Sequence, residues 1–162
     1  ILGRRKTLDP VKRNPLNRAL RIDKMTLAAL EATMRLYLNE AEALRKIRGL
    51  RVLTEPVEVV EGRAKRFIRR LKKAGLEGLT LSLKKGSSMA GGGSLPTQEI
   101  PSVLLSLRSS KLSANAVGER LRRFDPPVIA RIADDEVLFD LRTVEAEELD
   151  IIRRALEGLA RP

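Results

Sequence analysis

Val128-Ile129-Ala130-Arg131-Ile132, then Ala133-Asp134-Asp135-Glu136, then Val137-Leu138-Phe139-Asp140-Leu141: two short runs rich in apolar and β-branched residues, split by an acidic break. Runs of that length and composition around a short polar connection read as strand, turn and strand. Downstream the period changes. Residues 145–159 place Leu149, Ile152, Leu156 and Leu159 three or four apart, which predicts a helix with one buried stripe. Upstream, Ser113 is placed to cap a helix over 113–123 that turns Val117, Leu121 and Phe124 inward. Before it, a strand is predicted over 103–107. At 79–84, Leu79, Leu81 and Leu83 alternate with Thr80, Ser82 and Lys84, a strand with one wet face. Strand, strand, helix, strand, strand, helix is the order of an α+β layer: an antiparallel or mixed sheet with helices on one side.

The N-terminal part reads as helices alone. Thr54-Glu55-Pro56 opens a helix over 57–74 whose inner face is Val57, Val60, Ala64, Phe67, Ile68 and Leu71, and whose outer face is basic. Gly75 suits the left-handed residue that ends it. Residues 1–22 look like an arm, with Asp9-Pro10 and Asn14-Pro15 as helix starts. Asp23 is a plausible cap for a helix over 24–38 carrying Leu27, Leu30, Met34 and Tyr37 at helical spacing. A short helix over 41–48 is expected to end at Gly49. The predicted organisation is a helical arm and linking helix over 1–50, followed by a small α+β domain over 51–162. Residues 86–96 have the composition of a loop or linker.

Composition narrows the function classes. With 43% apolar and 33% charged residues in 162, the chain is globular rather than disordered. No run approaches the ~18 apolar residues of a membrane span. The chain has no Cys and no His, which removes disulfides, thiol nucleophiles, imidazole proton shuttles and most transition-metal ligands. The net charge of +11 draws in polyanions, so nucleic acid is a natural partner class. One Tyr, three Phe and no Trp leave little for base stacking, so an RNA contact is expected on the phosphate backbone of a folded shape. The chain begins Ile1-Leu2-Gly3, which reads as a piece of something longer or as a trimmed N-terminus.

Three groups of residues invite a chemical reading. Asp134, Asp135 and Glu136 are adjacent acids, best explained as a solvated turn. Arg18 and Arg21, three apart on a predicted helix, share a face. Two guanidiniums there suit an oxyanion between them, since the fork matches phosphate oxygens, or they are simply surface arginines. Gly91-Gly92-Gly93-Ser94-Leu95-Pro96 can bring backbone N–H groups close to a ligand, or can be a tether. No phosphate-loop or nucleophile-elbow pattern occurs.

In one-letter code residues 14–38 read NPLNRALRIDKMTLAALEATMRLYL. This stretch resembles the segment that follows the cofactor lysine in bacterial selenocysteine synthases, the L-seryl-tRNA(Sec) selenium transferases. Gly91 to Pro96 resembles that family's small-domain loop, and residues 125–132 with 138–142 resemble its C-terminal hairpin. The resemblance implies the C-terminal portion of an aspartate-aminotransferase-type enzyme using pyridoxal 5'-phosphate. Such an enzyme converts seryl-tRNA(Sec) to selenocysteinyl-tRNA(Sec) with selenophosphate, and is a cytoplasmic homo-oligomer, a ring of dimers, with no membrane attachment. The Schiff-base lysine is expected upstream of Ile1, so no catalytic residue and no metal ligand is assigned here and the piece alone is expected to be inactive. By the same resemblance Arg18 and Arg21 hold the phosphate of selenophosphate, while Gly91, Gly92, Gly93 and Ser94 edge the site. Arg131 lies where related folds anchor substrate. The alternative is a basic RNA-binding or oligomerisation module without catalysis.

Overall fold

The computed structural model describes residues 3–91 and 98–160, which fall into two compact units, residues 1–50 and 51–162. It is α+β throughout: helical in the first unit, helices on an antiparallel sheet in the second.

The first unit begins with α1 (Arg5–Arg13) and the single turn α2 (Leu16–Ala19). Pro10 lies inside α1 rather than at a helix start. Its ring nitrogen cannot donate to the carbonyl one turn back, so α1 lacks a rung. The second predicted start holds: the Asn14 side chain accepts the Leu16 N–H at 2.9 Å. Asp23 caps α3 (Lys24–Leu36), accepting the Thr26 N–H at 3.0 Å and the Thr26 hydroxyl at 2.6 Å. Next come α4 (Glu40–Lys46) and α5 (Arg48–Thr54), which runs into the second unit. Gly49 therefore sits within α5 and ends nothing. The break falls at Ile47, whose extended backbone (ψ 104°) closes α4 two residues earlier than the glycine suggested. Among the described residues of the first unit only Ala43 is buried; the α3 stripe Leu27, Leu30, Met34 and Tyr37 is about half exposed.

The second unit owes its core to periodicity. Along α6 (Val57–Lys73), Val60, Ala64, Phe67 and Leu71 recur at helical spacing and are buried. Gly75 takes the left-handed φ of 64° that ends it. The strands β1 (Leu79–Met89) and β2 (Glu99–Ser109) pair antiparallel along their whole length, from Leu79↔Ser109 to Met89↔Glu99. β1 thus continues five residues past the predicted strand, and 86–89 belong to the ladder, not to a loop. Gly86 fits because an added Cβ would meet the Leu104 side chain at 2.6 Å.

After α7 (Ala114–Arg122), capped by Ser113, come β3 (Arg131–Ala133) and β4 (Glu136–Asp140). The predicted strand over 128–132 starts later because the Val128 N–H is spent on the Leu121 carbonyl at 2.9 Å, which ties that stretch to the end of α7. Asp134 and Asp135 both take positive φ, 53° and 56°, between the paired Ala133 and Glu136. This is the two-residue hairpin turn whose twist matches its strands. The sheet order is β1-β2-β4-β3, so the last strand returns to the middle. Val103, Leu105, Leu107, Val137 and Phe139 point to one face and form a single core with α6, α7 and α8 (Glu148–Ala160).

Candidate functional site

Arg18 lies within α2, and the Leu20 N–H closes that turn on the Leu16 carbonyl. Arg21 lies beyond it, in the short link between α2 and the Asp23 cap of α3. The two arginines therefore do not share a helix face, as their spacing had suggested, because the turn stops at Ala19. Both are exposed, and among the described residues neither is paired with an acid. Gly91 is an exposed turn residue after β1, while Gly92, Gly93 and Ser94 lie outside the described residues. Arg131 opens β3 opposite Leu138, exposed, on the sheet face away from the helices.

That second face holds what sequence reasoning missed. Alternation brings Lys84 and Ser88 of β1, Ser102, Ser106 and Arg108 of β2, and Glu136 and Asp140 of β4 to one side. Glu136 is not a solvated turn acid. It is 4% exposed, with Lys84 Nζ at 2.5 Å, Arg108 Nε at 2.7 Å and the Ser106 hydroxyl donating to it. The Lys84 hydrogen bond, then that of Ser106, and the nearby Arg108 charge outweigh desolvation and hold its carboxyl at about 2, below the ordinary 4.5. Asp140 accepts from the hydroxyls of Ser88 and Ser102 and from the Arg142 N–H. The available signal was register: Glu136 is the first ladder residue, and its face neighbours on β1 and β2 are cations.

Arg142 is the second missed residue. Its guanidinium is buried and spans three carbonyls: Nη1 donates to Val52 at 2.9 Å and Glu55 at 2.6 Å, and Nη2 donates to Pro101 at 2.6 Å. It ties the lead-in to α6 to the start of the central strand.

A cleft of about 470 Å³ lies beside the first turns of α6, bordered by Glu58, Glu61, Lys65, Lys84 and Lys85. It tests the fit of an aldehyde cofactor. Schiff-base chemistry needs a desolvated lysine. Lys65 pairs with Glu61 at 2.6 Å and Lys84 with Glu136, their side chains 62% and 47% exposed, and Lys85 is exposed too. None of these three lysines is desolvated, so this cleft does not fit the aldehyde of pyridoxal phosphate.

The family model for L-seryl-tRNA selenium transferase matches residues 1–145, through both units and across the hairpin. The chain belongs to that family. Among curated relatives of the L-seryl-tRNA selenium transferase family, the L-seryl-tRNA(Sec) selenium transferase of Alkaliphilus metalliredigens is 39% identical over 99% of this chain. That of Aquifex aeolicus is 39% identical over 98%, and that of Geobacter metallireducens 41% identical over 99%. In each case the match covers only 34–35% of the relative, so the chain spans about a third of their length. No helix among the described residues is long and apolar enough to cross a membrane.

Proposed function

We propose that this chain is the C-terminal portion of an enzyme that moves selenium from selenophosphate onto seryl-tRNA(Sec), giving selenocysteinyl-tRNA(Sec). The observation that carries the reading is the match over 99% of this chain to about a third of the length of transferases 39–41% identical to it, within a family match over residues 1–145. The same match disfavours a free-standing RNA-binding or oligomerisation module. Pyridoxal phosphate supplies the electron sink in this reading and is held by a part of the full-length protein outside this chain. That protein has the aspartate-aminotransferase architecture and works in the cytoplasm as a ring of dimers.

Arg18 and Arg21 are assigned to the phosphate of selenophosphate. Both are exposed and unclaimed by an acid, which leaves the forks available for an oxyanion. Because they flank the end of a turn, they would hold an anion from two sides of a bend rather than from one helix face. Gly91 to Ser94 and Arg131 belong to the same assignment as edges of the site.

The test is selenium transfer by the full-length Aquifex aeolicus relative with its matching segment replaced by this chain. The reading requires transfer to seryl-tRNA(Sec). In that protein Arg18→Ala with Arg21→Ala should raise the KM for selenophosphate at least tenfold, as loss of charge-assisted phosphate contacts does. No transfer by the parent chimaera sinks the reading; an unchanged KM sinks the arginine assignment.

A further inference from the structure

The outward face of α6 is more basic than folding requires. Val60, Ala64, Phe67 and Leu71 are buried and fix the rotation of the helix. At 100° per residue the opposite sector holds Glu58 in the first turn and then, from residue 65 on, Lys65, Arg66, Arg69, Lys72 and Lys73, all exposed. These cations span about 12 Å along the axis, at 1.5 Å per residue.

Beyond Glu58 in the first turn, the acids near α6 lie off this crest. Glu55 pairs with Arg63 at 2.7 Å, and Asp150 lies 3.7 Å from Arg70, on the flank of α6 rather than its crest. On the crest only Lys65 has an acid, Glu61 at 2.6 Å. Among the described residues Arg66, Lys72 and Lys73 have none, and Arg69 spends only its Nε, on the Lys65 carbonyl at 3.1 Å. Like charges three and four apart oppose helix formation. Lys72 and Lys73 are offset by their place in the last turn, where cations meet the negative end of the helix dipole. Arg66 and Arg69 have no such compensation.

We propose that this crest is a docking surface for the phosphate backbone of double-helical RNA, with Arg66 and Arg69 at its centre. The proposal rests on the functional reading above only for the RNA being the ligand; the surface itself stands on charge and geometry. Forked guanidiniums one turn apart present paired donors 5–6 Å apart at the Cβ atoms, fit for successive phosphates. Base readers need exposed aromatic platforms. In the second unit Phe67 and Phe139 are buried and Phe124 is half-buried, so the surface grips backbone and takes duplex over single strand. Insertion into a membrane surface uses an apolar helix face, and that of α6 is already in the core.

The experiment is fluorescence anisotropy of a labelled RNA hairpin titrated with the 162-residue chain across a salt series. Arg66→Gln with Arg69→Gln keeps good helix formers, and circular dichroism confirms the fold. Affinity should fall about tenfold at low salt, and the slope of log K against log salt should shrink by about 1.8, the share of two duplex phosphates. Arg66→Lys with Arg69→Lys should restore most of the slope. Arg120→Gln with Arg122→Gln, on exposed positions of α7, should leave the slope as it was. Equal losses from the α6 and α7 pairs, an unchanged slope in the α6 pair, or equally tight binding of polyuridine or of phosphatidylserine vesicles would each overturn the proposal. Hairpin binding that survives while the chimaera fails to transfer selenium sinks the functional reading and leaves the surface standing; the reverse sinks the surface alone.

Discussion

Replacing Arg142 by Met should cost the second unit about 3–4 kcal/mol. The side chain is 3% exposed and its three donated bonds bridge Val52, Glu55 and Pro101, residues far apart in sequence. Bonds to a charged donor contribute roughly 1.5–3 kcal/mol each, but they share one side chain and do not add fully. Two corrections lower the sum. Nε is buried without a partner, which already counts against the arginine. Pro101 is exposed, so its carbonyl can turn to water. Met fills the stem but leaves the Val52 and Glu55 carbonyls unserved, and half-buried acceptors without donors carry about 1–3 kcal/mol of penalty. Urea denaturation followed by far-ultraviolet circular dichroism measures the loss, which for a unit of this size lowers the Tm by about 12–16 °C. Arg142→Lys should keep most of the loss, since one ammonium cannot span three carbonyls held by a planar fork. Arg131→Met, on an exposed position, should change stability by less than about 0.5 kcal/mol. A loss below about 1 kcal/mol for Arg142→Met would refute the idea that this guanidinium fastens the lead-in to α6.

Glu136 gives a pH signature. Its carboxyl sits at about 2 when folded against an ordinary 4.5, so its contribution is complete above 4.5 and disappears as the pH falls toward 2. The Tm of the chain should therefore drop more steeply between pH 5 and 2 than that of Glu136→Gln, and parallel curves would contradict the ion cluster. Gly86→Ala puts a Cβ 2.6 Å from Leu104 and should destabilise by about 1–3 kcal/mol in urea, where a loop glycine would be silent. Native-state hydrogen exchange should show amides of α1 and α3 opening far more readily than those of β2, because the described residues of the first unit bury almost nothing and isolated helices of this length are marginal. Equal protection in both would contradict that difference.

What the residues announced in advance were the features set by neighbours in sequence. The Asp23 and Ser113 caps, the left-handed Gly75, the buried stripe of α6 and the acid turn between two strands each depend on a few adjacent residues, and each was legible. Glu136 was not. Its place in the turn argued for water, while its burial depends on β1 and β2 bringing Lys84 and Arg108 alongside, 52 positions away in the case of Lys84. Arg142 escaped for the same reason, its three acceptors being 41–90 positions distant. The α2 turn failed in the other direction. The spacing of Arg18 and Arg21 fits a helix, but α2 is a single turn that ends at Ala19, and a new helix starts only after the Asp23 cap. At Gly86 composition misled: a glycine that reads as a loop start is there because a neighbouring leucine leaves no room for a side chain.

The charge of the molecule follows the same division between what folding uses and what it leaves over. Where a cation must lie against the sheet or the core, an acid or a set of carbonyls meets it: Lys84 and Arg108 share Glu136, Arg63 has Glu55 and the Leu141 carbonyl, and Arg142 has its three backbone acceptors. Those cations are accounted for by packing and say nothing about a partner. Other cations meet no acid among the described residues, among them Arg66, Arg69, Lys72 and Lys73 on the crest of α6 and Arg18 and Arg21. Helix propensity alone would be served there by glutamate as well as by arginine, and alternating signs would be more stable than one sign. A chain of net charge +11 that pairs its inner cations and leaves these outer ones bare carries an electrostatic excess that folding does not consume. Such an excess raises the encounter rate with a polyanion and makes its binding salt-dependent. The same physics underlies both proposals, a small oxyanion at Arg18 and Arg21 and an extended one along α6.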